Sequence, residues 1–199
     1  MPSGPQLFEM RRMEALSNTI FGVAMTLLAY QVPKDRFLTS DPKWAEIWHS
    51  YGSHLSALLL SFVVAGIFWF SHQRRLAYAS EANRIEVIVN LLFLLSIILL
   101  PVTTGLYGSY IDSADVTALY GFNLTLISTL NTVLWLMAAA PRRDRSVIVA
   151  PVFATVVFVT ASILGLYAPY LARYVWPLAF VSPILSAYAE RRESPRMEG

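Results

Sequence analysis

Apolar residues in this chain gather into six runs parted by short polar stretches, at 12–32, 52–72, 85–106, 116–139, 147–168 and 174–189. A hydrocarbon core of about 30 Å takes roughly 20 residues of helix, so six crossings joined by short loops use up the chain. Backbone entering hydrocarbon has to satisfy its own hydrogen bonds, and all six runs are therefore predicted as helices. The expected fold class is all-α: a polytopic membrane protein with six transmembrane helices per subunit, one domain over 1–189 and a short polar tail over 190–199. Pro33 to Ser50 is the longest loop, and Trp44 with Trp48 predicts a short helix lying at the headgroups. No internal repeat or second domain is visible.

Composition supports this environment. Hydrophobic residues make up 56% of the chain and charged residues 14%, and mean hydropathy is +0.52. Lys and Arg divide unevenly between the two sides of the predicted spans, 11 against 4, with the rich side holding Arg11, Arg12, Arg74, Arg75, Arg84, Arg142, Arg143, Arg145 and the tail arginines. The positive-inside rule then places both termini in the cytoplasm, in a multi-pass protein of the cell membrane. The pI near 9.0 fits basic loops facing membrane lipids, with topology signalling as an equal explanation, and gives no case for nucleic acid. Arg11-Arg12 before an apolar run resembles a targeting signal, but Glu14 and Asn18 interrupt the run and its length favours a retained span. There is no cysteine, which removes disulfides, thiolate ligands and thiol nucleophiles.

Candidate chemistry begins in the first span, whose opening turns carry Arg12, Glu14, Ser17 and Asn18. Intramembrane polar groups are costly and usually face other helices or a water path. Glu14 and Asn18 are four residues apart on one face, Arg12 and Leu16 on another. A plain reading has the arginines setting topology and Ser17 bonding back to a carbonyl. Asn18 has no such role and is expected to seek a partner helix. Trp69 and His72 share a face near the end of span two, and Asn90 is placed to hydrogen-bond across helices. Pro101 is expected to kink or end span three. Further along the first span, Val23, Leu27 and Tyr30 fall at i, i+4 and i+7 on one helical face, with Thr26 beside them. Such stripes also occur as ordinary lipid or packing faces.

Thr103-Thr104-Gly105-Leu106-Tyr107-Gly108 has the composition of a carbonyl-lined potassium filter in the wrong order, and is read instead as the finish of span three and a turn. His49, His54 and His72 form no spaced metal motif, and no serine-nucleophile signature or phosphate loop appears, so neither an enzyme nor a cofactor is expected. A secondary transporter or proton-coupled carrier would use Glu14, Glu86 and His72, yet all three lie near helix ends, away from the midplane such carriers need.

Arg12-x-x-x-Leu16-Ser17-Asn18 resembles the Arg-x-x-x-Phe-Ser-Asp signature of the endolysosomal-type potassium channels, in their single-repeat prokaryotic form. The resemblance continues in Ser61-Phe62 with Trp69 and His72, and in Asn90-Leu91 with Leu100-Pro101 and Thr103. Spans four to six match only in hydropathy. Two departures stand out: Leu16 replaces Phe, and Asn18 replaces Asp. The second removes a negative charge, leaving Glu14 as the carboxylate on that face. The resemblance implies a homotetramer with the first helix of each subunit lining a central pore. It also implies a hydrophobic gate in place of a carbonyl filter. By position the constriction is Val23 with Leu27, and Tyr30 further along, Val23 standing where the family usually has isoleucine. A potassium-permeable cation channel with weak to moderate selectivity is what the resemblance leads one to expect.

Overall fold

The computed structural model describes residues 10–33, 41–79, 83–140 and 146–182, together with 184, 185 and 187. Arg142, Arg143, Arg145, Lys34, Arg36 and the tail over 190–199, which entered the charge count, lie outside the described residues. The first five apolar runs fold as α1 (Met10–Tyr30), α2 (Trp44–Tyr78), α3 (Arg84–Ser109), α4 (Ala114–Ala139) and α5 (Val149–Tyr167), and α6 (Pro169–Val175) reaches only the first two residues of the sixth. A 3-10 turn at Ser146–Ile148 leads into α5, and a second 3-10 stretch, Trp176–Val181, follows α6.

Among the described residues, four segments are long and apolar enough to cross a membrane: α2, α3, α4 and Ser146–Tyr167. α1 stands apart because Arg11, Arg12, Glu14, Ser17 and Asn18 dilute its first half. The sixth expected span is not one continuous α-helix over its described part. Pro169 starts α6, and Pro177, which lacks an N–H, falls where an α-helix would need one, so the chain tightens into 3-10 turns. The interfacial helix expected before span two is also corrected, since Trp44 and Trp48 belong to the first turns of α2 itself. Nothing between Trp44 and Gly52 breaks a helix, and the Glu46 carboxylate accepts from the Lys43 N–H at 3.3 Å to start it. At 35 residues α2 is about 50 Å long, more than a hydrocarbon core requires.

α3 lies centrally and packs on α1, α2 and α4, while α5 covers α4 and carries α6. Neighbours run antiparallel: α1, α3 and α5 start at the end of the bundle where α2 and α4 finish. Pro101 neither ends nor isolates α3, which continues to Ser109. Asn123 of α4 stitches the helix there. Its amide nitrogen donates to the Ser96 carbonyl (3.1 Å), and its oxygen accepts from the Thr103 hydroxyl (3.1 Å) and the Leu100 N–H (3.3 Å). Thr103 to Gly108 accordingly finishes the helix as read from the sequence, but the turn comes after Ser109.

Lipid is as apolar as a Leu side chain, so close packing and polar pairs hold such helices together. Ser61 lies 2.8 Å from the Tyr120 hydroxyl and 2.7 Å from Thr104, joining α2, α4 and α3. Thr125 meets Ser162 at 3.0 Å and Thr132 meets Thr155 at 2.9 Å between α4 and α5. Tyr107 and Tyr120 stack at 4.9 Å, with Trp176 edge-on to both, which fixes the chain after α6 against α3 and α4.

Candidate functional site: the two faces of α1

α1 has two stripes. Met13, Ser17, Phe21, Ala24 and Leu28, spaced by threes and fours, are buried against α2 and α3. Leu16, Val23, Leu27 and Tyr30 occupy the opposite face and are exposed, Val23 by 54% and Tyr30 by 68%. Arg12 is exposed, eleven residues before Val23 and so on the same stripe. Thr19 and Thr26 lie on this outward side too, but their hydroxyls turn back onto the Ala15 and Gly22 carbonyls at 2.9 and 2.7 Å. From Leu16 to Tyr30 the outward face thus presents hydrocarbon with its polar groups already satisfied.

Behind that face the structure brings together Ser17, Asn18, Trp69, His72 and Asn90, and adds Arg75 at their centre. The Asn18 carbonyl oxygen accepts from the Trp69 indole N–H at 2.9 Å and from the Gln73 amide. Ser17 donates to the Met13 carbonyl at 2.7 Å, the back-bonding read from the sequence, and its oxygen lies 2.9 Å from His72 Nε2. With the serine proton spent on Met13, His72 must donate through Nε2. Its bare Nδ1 then accepts from Arg75 Nη2 at 3.2 Å. Arg75 Nη2 also donates to Asn90 Oδ1 at 3.1 Å. The donors run in one sense, from Arg75 through a neutral His72 to Ser17 and the backbone of α1. Phe21, His72 and Phe93 pack around this relay, His72 and Phe93 stacked at 5.3 Å.

Arg75 is 1% exposed, although its sequence position near a helix end suggests a topology charge. The readable signal was the stripe Ser61, Ala65, Phe68, His72, Arg75, whose spacing of threes and fours continues the buried face of α2. Glu86, buried at the start of α3, interacts electrostatically with Arg75 and closes a capping box with Asn83. Glu14 stays outside this cluster: it is exposed, one step round the helix from Met13. His54 sits near the other end of the bundle, 3.2 Å from Ser109. Among the described residues no group of acidic or histidine side chains is placed to hold a metal ion.

Residues 12–101 match the family model described as the endosomal/lysosomal potassium channel TMEM175. A potassium channel of Streptomyces collinus is 30% identical over 127 residues, 60% of this chain and 59% of that protein. An endosomal/lysosomal proton channel TMEM175 of Gallus gallus is 28% identical over 112 residues, 52% of this chain and 22% of that one. The matched region therefore spans less than two thirds of either relative. The fold resembles the crystal structure of a lysosomal potassium-selective channel TMEM175 homolog from Chamaesiphon minutus. The TM-score is 0.77 at 22% identity, over 89% of this chain and 97% of that one. The sequence match covers α1, α2 and most of α3, which are the helices that build the relay behind the outward stripe, and over residues 12–101, a little under half of the chain, the sequence is similar to the TMEM175 potassium channel family.

Proposed function

We propose that this protein is a potassium-permeable cation channel, a homotetramer in which α1 of each subunit lines a central pore. It would sit in the cell membrane with both termini cytoplasmic and six passes per subunit, the stretch after Ala168 completing the sixth. The observation that carries this reading is the outward stripe of α1. Val23, Leu27 and Tyr30 share one exposed face, on the helix whose first half is too polar to be a good lipid-facing span. Four such stripes facing one another make successive apolar rings. A narrow apolar ring opposes ion passage by dewetting until it widens, which supplies both gate and constriction without a carbonyl filter. The relay from Arg75 to Ser17 would hold α1 at a fixed angle behind the ring.

Potassium is favoured by the match over 12–101 and by the names of the relatives. The Gallus gallus relative is named a proton channel, so protons are the second permeant ion to test. A proton-coupled carrier using Glu14, Glu86 and His72 has less support, because Glu14 is exposed and both nitrogens of His72 are engaged.

Purified protein in planar bilayers under potassium-sodium bi-ionic conditions should give large, non-saturating unitary currents that favour potassium. A pH gradient without potassium checks for proton current in the same membranes. Slow saturable exchange would sink the channel reading. Mass measurement of the detergent-solubilised protein should give four subunits; a monomer in detergent and in lipid would remove the pore.

A further inference from the structure

Where α2 and α4 finish and α5 begins, a small recess of about 30 Å³, open at one side, lies between the helices. Ser71, Arg74, Asn131, Trp135, Ala150 and Ser182 contribute to its walls. Two buried polar groups there have nothing to bond to among the described residues. Asn131 is 2% exposed, and its oxygen accepts from the Ser71 hydroxyl at 3.3 Å, which in turn accepts from the Trp135 indole N–H at 2.9 Å. The Asn131 amide nitrogen has no partner among the described residues, and neither does the hydroxyl of Ser182, which is 5% exposed. The other polar pairs described between α4 and α5 are complete.

Among the described lining residues the charged side chain is basic. The Arg74 guanidinium lies 5.9 Å from the centre of the Phe70 ring, which helps fix it at the cavity. The first turn of α5 lines the same space and starts at Ile148 without a side-chain cap, so the positive end of that helix is also turned toward this end of the bundle. None of the described lining residues is acidic. A ligand must accept hydrogen bonds, carry negative charge, and reach a recess at the end of a transmembrane bundle. Ile67 and the exposed Phe70 beside the recess give an acyl chain an apolar wall.

We propose that this recess binds the phosphate of an anionic phospholipid, held by the Arg74 guanidinium, the Asn131 amide and the Ser182 hydroxyl. Basic recesses between transmembrane helices are a common way of seating such headgroups. The site lies on the far side of α2 from α1, so it is separate from the outward stripe and does not depend on the pore assignment.

The test uses the full-length protein, delipidated in uncharged detergent and incubated with phosphatidylglycerol or with phosphatidylcholine. Native mass spectrometry reads the lipid retained per subunit. Wild type should keep one phosphatidylglycerol per subunit in preference to phosphatidylcholine. Arg74→Gln should retain about fivefold less. Asn131→Asp keeps the acceptor for Ser71 but sets a carboxylate where the amide donors stand, and should lose at least as much. If that variant does not assemble, Ser182→Ala replaces it and should show a smaller loss in the same direction. Millimolar inorganic phosphate should leave retention unchanged, whereas displacement by it would reassign the recess to a soluble phosphate ester. Equal retention by wild type and all variants, or no preference between the two lipids, overturns the proposal and leaves the space to water.

Discussion

Arg75 is the residue around which the relay is built, because its guanidinium serves both His72 and Asn90 from within the packed interior of the bundle. Removing an acceptor there strands a buried donor, and the penalty should grow with the charge of the group stranded. Asn90→Leu keeps the volume but takes away an acceptor of a cation, and should cost about 3 kcal/mol of stability. Ser17→Ala strands only the neutral Nε2–H of His72, at about 1–3 kcal/mol. Trp69→Phe loses one exposed bond to Asn18, worth about 0.6 kcal/mol. Thermal unfolding of the three variants in one detergent should rank them in that order. An Asn90 variant as stable as wild type would mean that Arg75 finds its acceptor elsewhere. Asn18, Trp69, His72 and Asn90 could be picked out in the sequence because each is polar or amphipathic where hydrocarbon is the default. Arg75 could not, because a charge near a helix end also serves topology, and only the buried stripe of α2 separates the two meanings.

Helix packing in this bundle turns on where backbones come close. A Cβ placed on Gly121 of α4 would lie 2.6 Å from the Ser162 hydroxyl, 3.1 Å from its Cβ and 3.2 Å from its Cα on α5. Gly121→Ala should therefore push the helices apart and cost about 1–3 kcal/mol. Adding Ser162→Ala should return part of that loss but not all, since it removes the hydroxyl and leaves the α5 backbone and the first side-chain carbon just as close. Gly66 on α2 is the control: nothing lies within 4 Å, so Gly66→Ala should gain about 0.5–1 kcal/mol from helix propensity. Equal effects at the two glycines, read by the same unfolding assay, would show that the approach of α4 to α5 does not depend on Gly121. The existence and order of the helices were legible from hydropathy alone, because a span has no other way to satisfy its backbone. Their ends were not. Residues 44–51 are polar enough to read as loop, yet no proline or glycine stops α2 from starting at Trp44. In the last span the apolar run hides Pro177, whose missing N–H decides the local geometry.

At the scale of the whole molecule, Ser17 and Asn18 of α1 bond to α2, its buried face packs on α2 and α3, and its outward face has hydrocarbon to offer. In the proposed tetramer that outward face becomes the pore wall, and the ring at Val23 sets how closely a cation approaches side chains. One methylene less than isoleucine in each subunit widens the ring, so less water is stripped from a passing ion and the difference between potassium and sodium shrinks. Val23→Ile should therefore raise the potassium-to-sodium permeability ratio while lowering unitary current. Val23→Asn should do the opposite, because a polar ring wets more readily and leaves the passing ion hydrated. Neither change touches the relay behind α1, since Val23 is exposed and Ser17 and Asn18 lie on other sides of the helix. Both variants should then assemble as wild type does, which size exclusion checks before any current is recorded. If both assemble normally and leave conductance and ion ratio unchanged, Val23 does not stand at the constriction, and the pore wall has to be sought on a different face of the bundle.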